Sequence, residues 1–270
     1  MTRERSWKAT RSRWYYWEGG FLAVGQAYGH LETHAHHAFQ LIVSGTRPAC
    51  ISIDDGPEEE YQGAIIRPNV KHSDAPATDE CIMLLVDPDS MEGRLLWRSY
   101  TEPIEPLDPE RVTKAQAAVR SFLEQPNDAE AAAHLVEYLI TLFSRGLLPP
   151  RELDHRIAAA LEIIKTMGPA AANLEDLATR VHLSPSRFAH LFKENVGLPF
   201  GRYVLWRRLS RATVLVIRGN TLSNAAHAAG FSDAAHFSRT FSQMFGVAPS
   251  VFLSQGDVSE ISAPFEVVRR

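Results

Sequence analysis

The sequence predicts an α+β protein: a small β-barrel with a helical hairpin, followed by an all-α region of two helix-turn-helix motifs joined by a linker helix. Three observations predict it. Short β-rich runs separated by Gly, Pro and Asp fill residues 21–88, a helical segment recurs near the C-terminus, and the charge changes sign between the halves. At 270 residues the chain exceeds the usual size of one domain, and 45% hydrophobic with 22% charged residues suits a core in each half. Residues 1–150 hold 14 Lys+Arg and 22 Asp+Glu, net -8, whereas residues 151–270 hold 14 and 10, net +4. The second half alone is therefore expected to meet a polyanion.

Composition excludes several classes. The longest apolar run, Cys81 to Val86, is six residues, far short of the ~18 of a membrane span. The N-terminal stretch is basic and aromatic without an apolar core, so no secretory signal is expected. Cys50 and Cys81 form no CxxC and offer no disulfide framework or zinc-finger spacing; each sits in an apolar run and reads as a buried structural cysteine. A soluble cytoplasmic protein, without membrane association, is expected.

In chain order, Phe21–Tyr28, Phe39–Ser44, Ala49–Asp54, Gly63–Pro68 and Cys81–Asp87 read as strands of a small sandwich or barrel. Pro103, Pro106 and Pro109 mark a change of character, and helices are expected over Pro109–Glu124 and Asp128–Arg145. The second carries the stripe Leu135, Leu139, Leu142 and Phe143, with Asn127-Asp128 as its capping signal and Gly146 as its stop. Leu148-Pro149-Pro150 is the expected boundary, giving regions 1–150 and 151–252 and a loose tail over 253–270.

The second region contains an internal repeat. Leu174–Gly197 aligns with Leu222–Gly246: Leu174, Ala178 and Ser184 match Leu222, Ala226 and Ser232 at an offset of 48, and Phe188, Phe192 and Gly197 match Phe237, Phe241 and Gly246 at 49. The extra residue falls in the turn, where insertions are tolerated. Each copy reads as a short helix with a small residue at a close crossing, a turn, and a second helix with a buried aromatic stripe. Ser184 and Ser232 are placed to cap the second helices, and Pro185 suits a first turn. Between the copies, Phe200–Ile217 reads as one amphipathic helix with Arg202, Arg207, Arg208 and Arg211. Eighteen residues span roughly 27 Å, close to the ~34 Å between successive major-groove faces. A monomer would then reach two groove segments.

Residues 153–252 resemble the DNA-binding domain of the AraC/XylS family of bacterial transcription regulators. The resemblance is carried by Ala225–Phe252 (AAHAAGFSDAAHFSRTFSQMFGVAPSVF), and by LATRVHLSPSRFAHLFKENVG with the following RYVLWRRLSRA. It implies seven helices and second helices that enter the major groove. By the same resemblance, the base-contacting positions are Ser186, Ala189 and His190 in the first motif, and Ala234, Ala235 and Arg239 in the second. Arg239 can pair bidentately with guanine O6 and N7, or instead make a salt bridge or phosphate contact. Ala234 and Ala235 offer only methyl contacts, so the first motif is expected to carry more sequence information. Phosphate contacts are expected from Ser184, Arg187, Lys193 and Arg207, although any linker arginine can equally be a solvated one. Trp206 is expected to pack between motifs rather than stack on bases.

The β-rich half holds His30, His34, His36 and His37, with His72 after a proline turn. On a strand His34 and His36 would share a face. The segment resembles the cupin pattern, in which two histidines, an acidic residue and a distant histidine converge inside a barrel. It departs from that pattern at Gln40, a poor ligand where a metal-binding cupin has Glu. The expectation is therefore no metal and no cofactor, with His34, His36 and His72 lining a site for a small-molecule effector or packing against one another. Trp14, Tyr15, Tyr16 and Trp17 line that pocket or pack the barrel. Family resemblance points to the Leu135, Leu139, Leu142, Phe143 stripe as a dimerisation surface; packing against the barrel is the competing reading.

The leading reading is an effector-modulated, sequence-specific DNA-binding regulator and not an enzyme. Its expected partners are double-stranded DNA, a small molecule, RNA polymerase and a second copy of the chain. A metal-dependent cupin enzyme with an accessory DNA-binding domain is the alternative, and a chromosome-associated structural binder a third.

Overall fold

The computed structural model describes residues 12–26, 30–75, 80–144, 152–253 and 256–261. Residues Arg145, Gly146, Leu148, Pro149 and Pro150 lie outside them, so the expected helix stop is not placed. The chain divides into two compact units: a β-rich unit of Met1–Pro150 with Gln243–Arg270, and a helical unit of Arg151–Ser242. The described residues from Gln243 onward group with the β-rich unit.

The β-rich unit starts with β1 (Ser12–Trp17), β2 (Gly20–Gln26), β3 (Leu31–His34), β4 (Phe39–Ser44), β5 (Ala49–Ile53) and β6 (Glu58–Tyr61). Next come β7 (Gly63–Ile66), β8 (His72–Ala75), β9 (Glu80–Val86), α1 (Met91–Ser99), β10 (Ile104–Pro106), α2 (Pro109–Leu123) and α3 (Ala129–Phe143). Its strands form two sheets. The larger has the order β10-β7-β4-β9-β2-β1 and ends on a further strand, β11 (Gly256–Glu260); the smaller has the order β3-β8-β5-β6. The expected barrel is thus built from two sheets of a mainly antiparallel fold.

Alternation along β4 decides what faces what. Phe39, Leu41 and Val43 join Ile65, Leu84 and the helices α1 to α3 in one core. Ile42 and its neighbours pack instead with Ala49, Ile51, Ala64 and Ile66, which bridge the two sheets. Because side chains alternate with period two, Gln40 lies on the same face as Ile42. Asp108 and Asp128 cap α2 and α3 by accepting from Arg111 N–H and Ala131 N–H. Of the stripe on α3, Leu135, Leu139 and Phe143 are buried in the unit's own core and Leu142 packs against it, the packing that the competing reading expected.

The C-terminal segment expected to be loose is partly ordered. β11 pairs in parallel with β1, register Ser12 with Gly256 through Tyr16 with Glu260, and the Tyr16 hydroxyl donates to Glu260 Oε2 at 2.8 Å.

The helical unit contains α4 (His155–Met167), α5 (Leu174–Arg180), α6 (Pro185–Val196), α7 (Phe200–Ile217), α8 (Leu222–Ala229) and most of α9 (Ala234–Phe245); α10 (Pro249–Leu253) follows. Its first motif packs on Phe188, Phe192, Leu177, Ala178 and Phe200. The small residues at the crossings, Ala178 and Ala226, are fully buried. Gly230 ends α8 with φ +90°. A side chain there would enter the left-handed region, and its Cβ would meet Ala170 Cβ at 3.0 Å. Gly230→Ala is accordingly expected to destabilise the helical unit by about 1–2 kcal/mol, read as a lowered urea midpoint; an unchanged midpoint would contradict the strain.

Candidate functional site

The second helix of each motif carries the candidate nucleic-acid interface. In the first, Ser184 is the N-cap, its hydroxyl accepting from Arg187 N–H at 3.3 Å. The hydroxyl hydrogen stays available to a phosphate oxygen. In the second, the cap is Asp233 rather than Ser232: Asp233 Oδ1 accepts from His236 N–H at 2.7 Å, which holds its carboxyl below the usual range. Ser232 donates to Asp233 Oδ2 at 3.1 Å instead. Ser184 therefore corresponds to Asp233, and the whole of α6 maps on α9 at an offset of 49. His190 and Arg239 then occupy the same position in the two motifs, as do Ser186 and Ala235.

Burial agrees with a reading face. Phe188 and Phe192 on α6, and Phe237 and Phe241 on α9, are fully buried. Opposite them Ser186, Arg187, His190, Lys193, Ala235 and Arg239 are exposed, with Ala189 and Ala234 half-buried. His190 Nε2 lies 3.2 Å from Glu194 Oε1, one turn on, so DNA would compete with that carboxylate for the imidazole. On the linker helix α7 the arginines differ. Arg208 has a structural task, donating to the carbonyl oxygens of Pro169 at 3.3 Å and Gly230 at 3.2 Å. Arg202 and Arg211 are exposed and Arg207 half-buried. Trp206 is buried, as its bulk and apolar character favour.

The β-rich unit holds a second candidate site. β3 and β8 place His34 directly opposite His72, and His36 follows β3. The three imidazoles converge, with ring centroids 4.2 Å apart for His34 and His72, and 5.2 Å for His36 and His72. Gln40 comes from the other sheet: its Oε1 lies 2.7 Å from His36 Nε2 and 3.2 Å from His72 Nε2, and its Nε2 donates to Asp74 Oδ2 at 3.3 Å. Burial pushes the His34 imidazole down to about 3 and that of His36 to about 4, and lowers His72 in the same direction, so all three are neutral near pH 7. His37 turns elsewhere, toward Asp89 and Asn69, and His30 is exposed.

These polar groups end a narrow, mostly apolar pocket walled by Trp14, Leu31, Met83, Leu85, Phe245 and Phe252. Beside it the Gly246 carbonyl accepts from Glu32 N–H at 3.2 Å. Any Cβ at Gly246 would come within 2.4 Å of the Glu32 carbonyl oxygen. Of the N-terminal aromatics, Trp14 lines this pocket while Tyr15 and Trp17 pack into the core. Asp74 escaped the sequence reading; the clue was its two-residue spacing from His72, which puts both on one face of a strand.

A duplicated helix-turn-helix unit with polar, exposed second-helix faces defines a DNA-binding domain. Comparison with known proteins agrees: residues 177–255 match a family described as "Helix-turn-helix domain". The chain is 32% identical over 124 residues to the transcriptional activator RhrA of Rhizobium meliloti, covering 44% of this chain and 39% of that one. It is 29% identical over 127 residues to the arabinose operon regulatory protein of Escherichia coli, covering 45% and 43%. The chain thus spans less than half the length of these curated relatives. Over 89% of its own length and 99% of the other it shares the fold of apo ToxT from Vibrio cholerae, at TM-score 0.61 and 11% identity. Another ToxT structure, at TM-score 0.58 and 12% identity over 88% and 96% of the two chains, holds an unsaturated fatty acid. The C-terminal part of the chain thus matches a helix-turn-helix domain family and is similar to a part of these transcription regulators.

Proposed function

We propose that this chain is a sequence-specific transcription regulator in which α6 and α9 read two adjacent major-groove segments and a small molecule in the pocket of the β-rich unit modulates the reading. The observation that carries it is the duplication itself: two capped second helices bury one aromatic face and present His190 and Arg239 at equivalent positions of the other. Both side chains suit base edges, Arg239 above all for guanine. Ser184, Arg187, Lys193 and Arg207 then hold the phosphates, a role that fixes register without reading sequence. The effector reading is supported by an apolar pocket with a few converging polar groups, and by the fatty acid in the related ToxT fold. A small molecule shifts DNA binding only through different affinities for two states of the protein. Action in the cytoplasm, on promoters shared with RNA polymerase and as a homodimer, completes the proposal.

Selection of binding sites from a random duplex pool tests it. A preferred site of two segments one helical turn apart is expected, and equal salt-sensitive binding to all sequences would overturn it. Against the preferred site, Arg239→Ala is expected to cost about 1–3 kcal/mol and to relax one base position. Arg207→Ala should weaken all sequences alike and shallow the salt dependence. Equal losses on preferred and random DNA for Arg239→Ala would remove its base-reading role.

A further inference from the structure

The imidazoles around Gln40 cannot satisfy one another with hydrogen bonds alone. His72 Nδ1 lies 3.0 Å from the Val70 carbonyl oxygen and His34 Nδ1 lies 2.7 Å from that of Glu32. A carbonyl oxygen only accepts, so each Nδ1 carries the hydrogen and each Nε2 presents a lone pair. With its amide donating to Asp74, Gln40 turns Oε1 toward His36 Nε2 and His72 Nε2. His36 can donate to that oxygen; His72 cannot, which leaves two acceptors 3.2 Å apart. Reversing the amide moves the conflict to Asp74, where Oε1 would face a carboxylate. With Asp74 ionised, either orientation brings two lone pairs together in a buried site, where such a contact is costly.

A cation among these atoms turns every one of those lone pairs into a ligand. The three histidines each offer a ring nitrogen, all within 4.8 Å of one another. Three neutral imidazoles and an amide oxygen suit a borderline divalent ion such as Zn²⁺, Co²⁺ or Ni²⁺, and not Ca²⁺ or Mg²⁺, which take oxygen ligands. Such a donor set carries no charge. The sequence expectation of no metal rested on that missing carboxylate at Gln40, yet the structure holds one a single hydrogen bond further out. Asp74 is buried, 1% exposed, and accepts from the Gln40 amide. We propose that His34, His36, His72 and Gln40 bind a divalent transition-metal ion, and that Asp74, acting through the Gln40 amide, is the positioning residue that balances its charge. This displaces the acidic group of the cupin pattern from the metal's own ligands to the residue behind them, where it orients the amide oxygen toward the ion.

The test uses full-length protein freed of metal with EDTA and titrated with Co²⁺, followed by visible d–d absorption, with bound metal counted by mass spectrometry after Zn²⁺ loading. One equivalent is expected. His34→Gln and His72→Gln should each abolish the saturable signal, and Asp74→Asn should lower affinity about 10- to 100-fold. Gln40→Glu, which restores a charged ligand, should tighten binding even where other variants fold poorly; circular dichroism reports the fold of each. Absence of saturable Co²⁺ absorption, or full-strength binding by folded His72→Gln protein, overturns the site. Unchanged affinity in Asp74→Asn overturns the role of that carboxylate. None of these readouts involves DNA, so failure here is separate from failure of the regulatory reading.

Discussion

Phe192→Ala is expected to destabilise the helical unit by about 3–5 kcal/mol, the range for emptying a fully buried aromatic site. Phe192 is completely buried, and its ring meets Phe200 at 5.4 Å and Tyr203 at 5.3 Å, both edge to face, and Phe188 at 5.6 Å. These contacts join α6 to α7, so the cavity would open where the first motif is fastened to the linker. Neighbouring helices cannot close over such a space without moving, and the packing loss adds to the lost transfer energy. Urea unfolding should show the midpoint falling while the slope holds. His190→Ala, on the exposed face of the same helix, should stay within about 0.5 kcal/mol. A Phe192→Ala loss no larger than that of His190→Ala would mean the aromatic cluster is not what holds the motif.

Metal-free protein should lose stability steeply as pH falls below about 6.5. In the unfolded chain an imidazole takes its proton near 6.5; in the folded protein burial delays this to about 3 for His34 and about 4 for His36, with His72 displaced the same way. Between those limits the unfolded state binds more protons, so stability rises with pH. The contribution is complete above about 6.5 and is lost progressively toward pH 4. Each pH unit is worth about 1.4 kcal/mol per group, so by pH 5 the loss is on the order of 2 kcal/mol each for His34 and His36, with His72 adding in the same direction. Denaturation at pH 7.5 and pH 5 of EDTA-treated protein measures it, and His36→Gln should flatten the dependence by about a third. An equal pH dependence in that variant would assign the effect to other groups.

Periodicity made part of this architecture readable. β2, β4, β5, β7 and β9 coincide with the apolar runs, because each alternates or is buried on both faces. β3 (LETH), β6 (EEEY) and β8 (HSDA) carry no such pattern; polar groups of the pocket and the exposed edge replace it. α1 contains Gly93 and β11 reads as turn residues, so neither announced itself. The duplicated motifs were visible because Phe188 and Phe237, and Phe192 and Phe241, must repeat for each pair of helices to pack. The cap was misread, since a Ser-Asp pair offers two acceptors and only backbone position selects Asp233. The stripe on α3 shows a general boundary: spacing reveals that a face is covered, but not by what. His34 and His72 converge because β3 pairs with β8, whereas His36 lies past the end of β3, so the strand alternation expected for His34 and His36 does not reach it. The spacing from His72 puts Asp74 on the same face of β8, but its contact with Gln40 joins two sheets, which no local pattern encodes.

The pairing of β11 with β1 has a consequence for how the chain comes into being. Strand β1 is synthesised well before β11, the two being separated by more than two hundred residues that include both helix-turn-helix motifs. Until β11 emerges, the edge of β1 presents unpaired backbone groups, which invite association with other chains. The helical unit, whose contacts are local, can fold while the larger sheet still waits for its seventh strand. The larger sheet is therefore complete only once residue 260 has been made, whereas the fold of the helical unit does not wait for it.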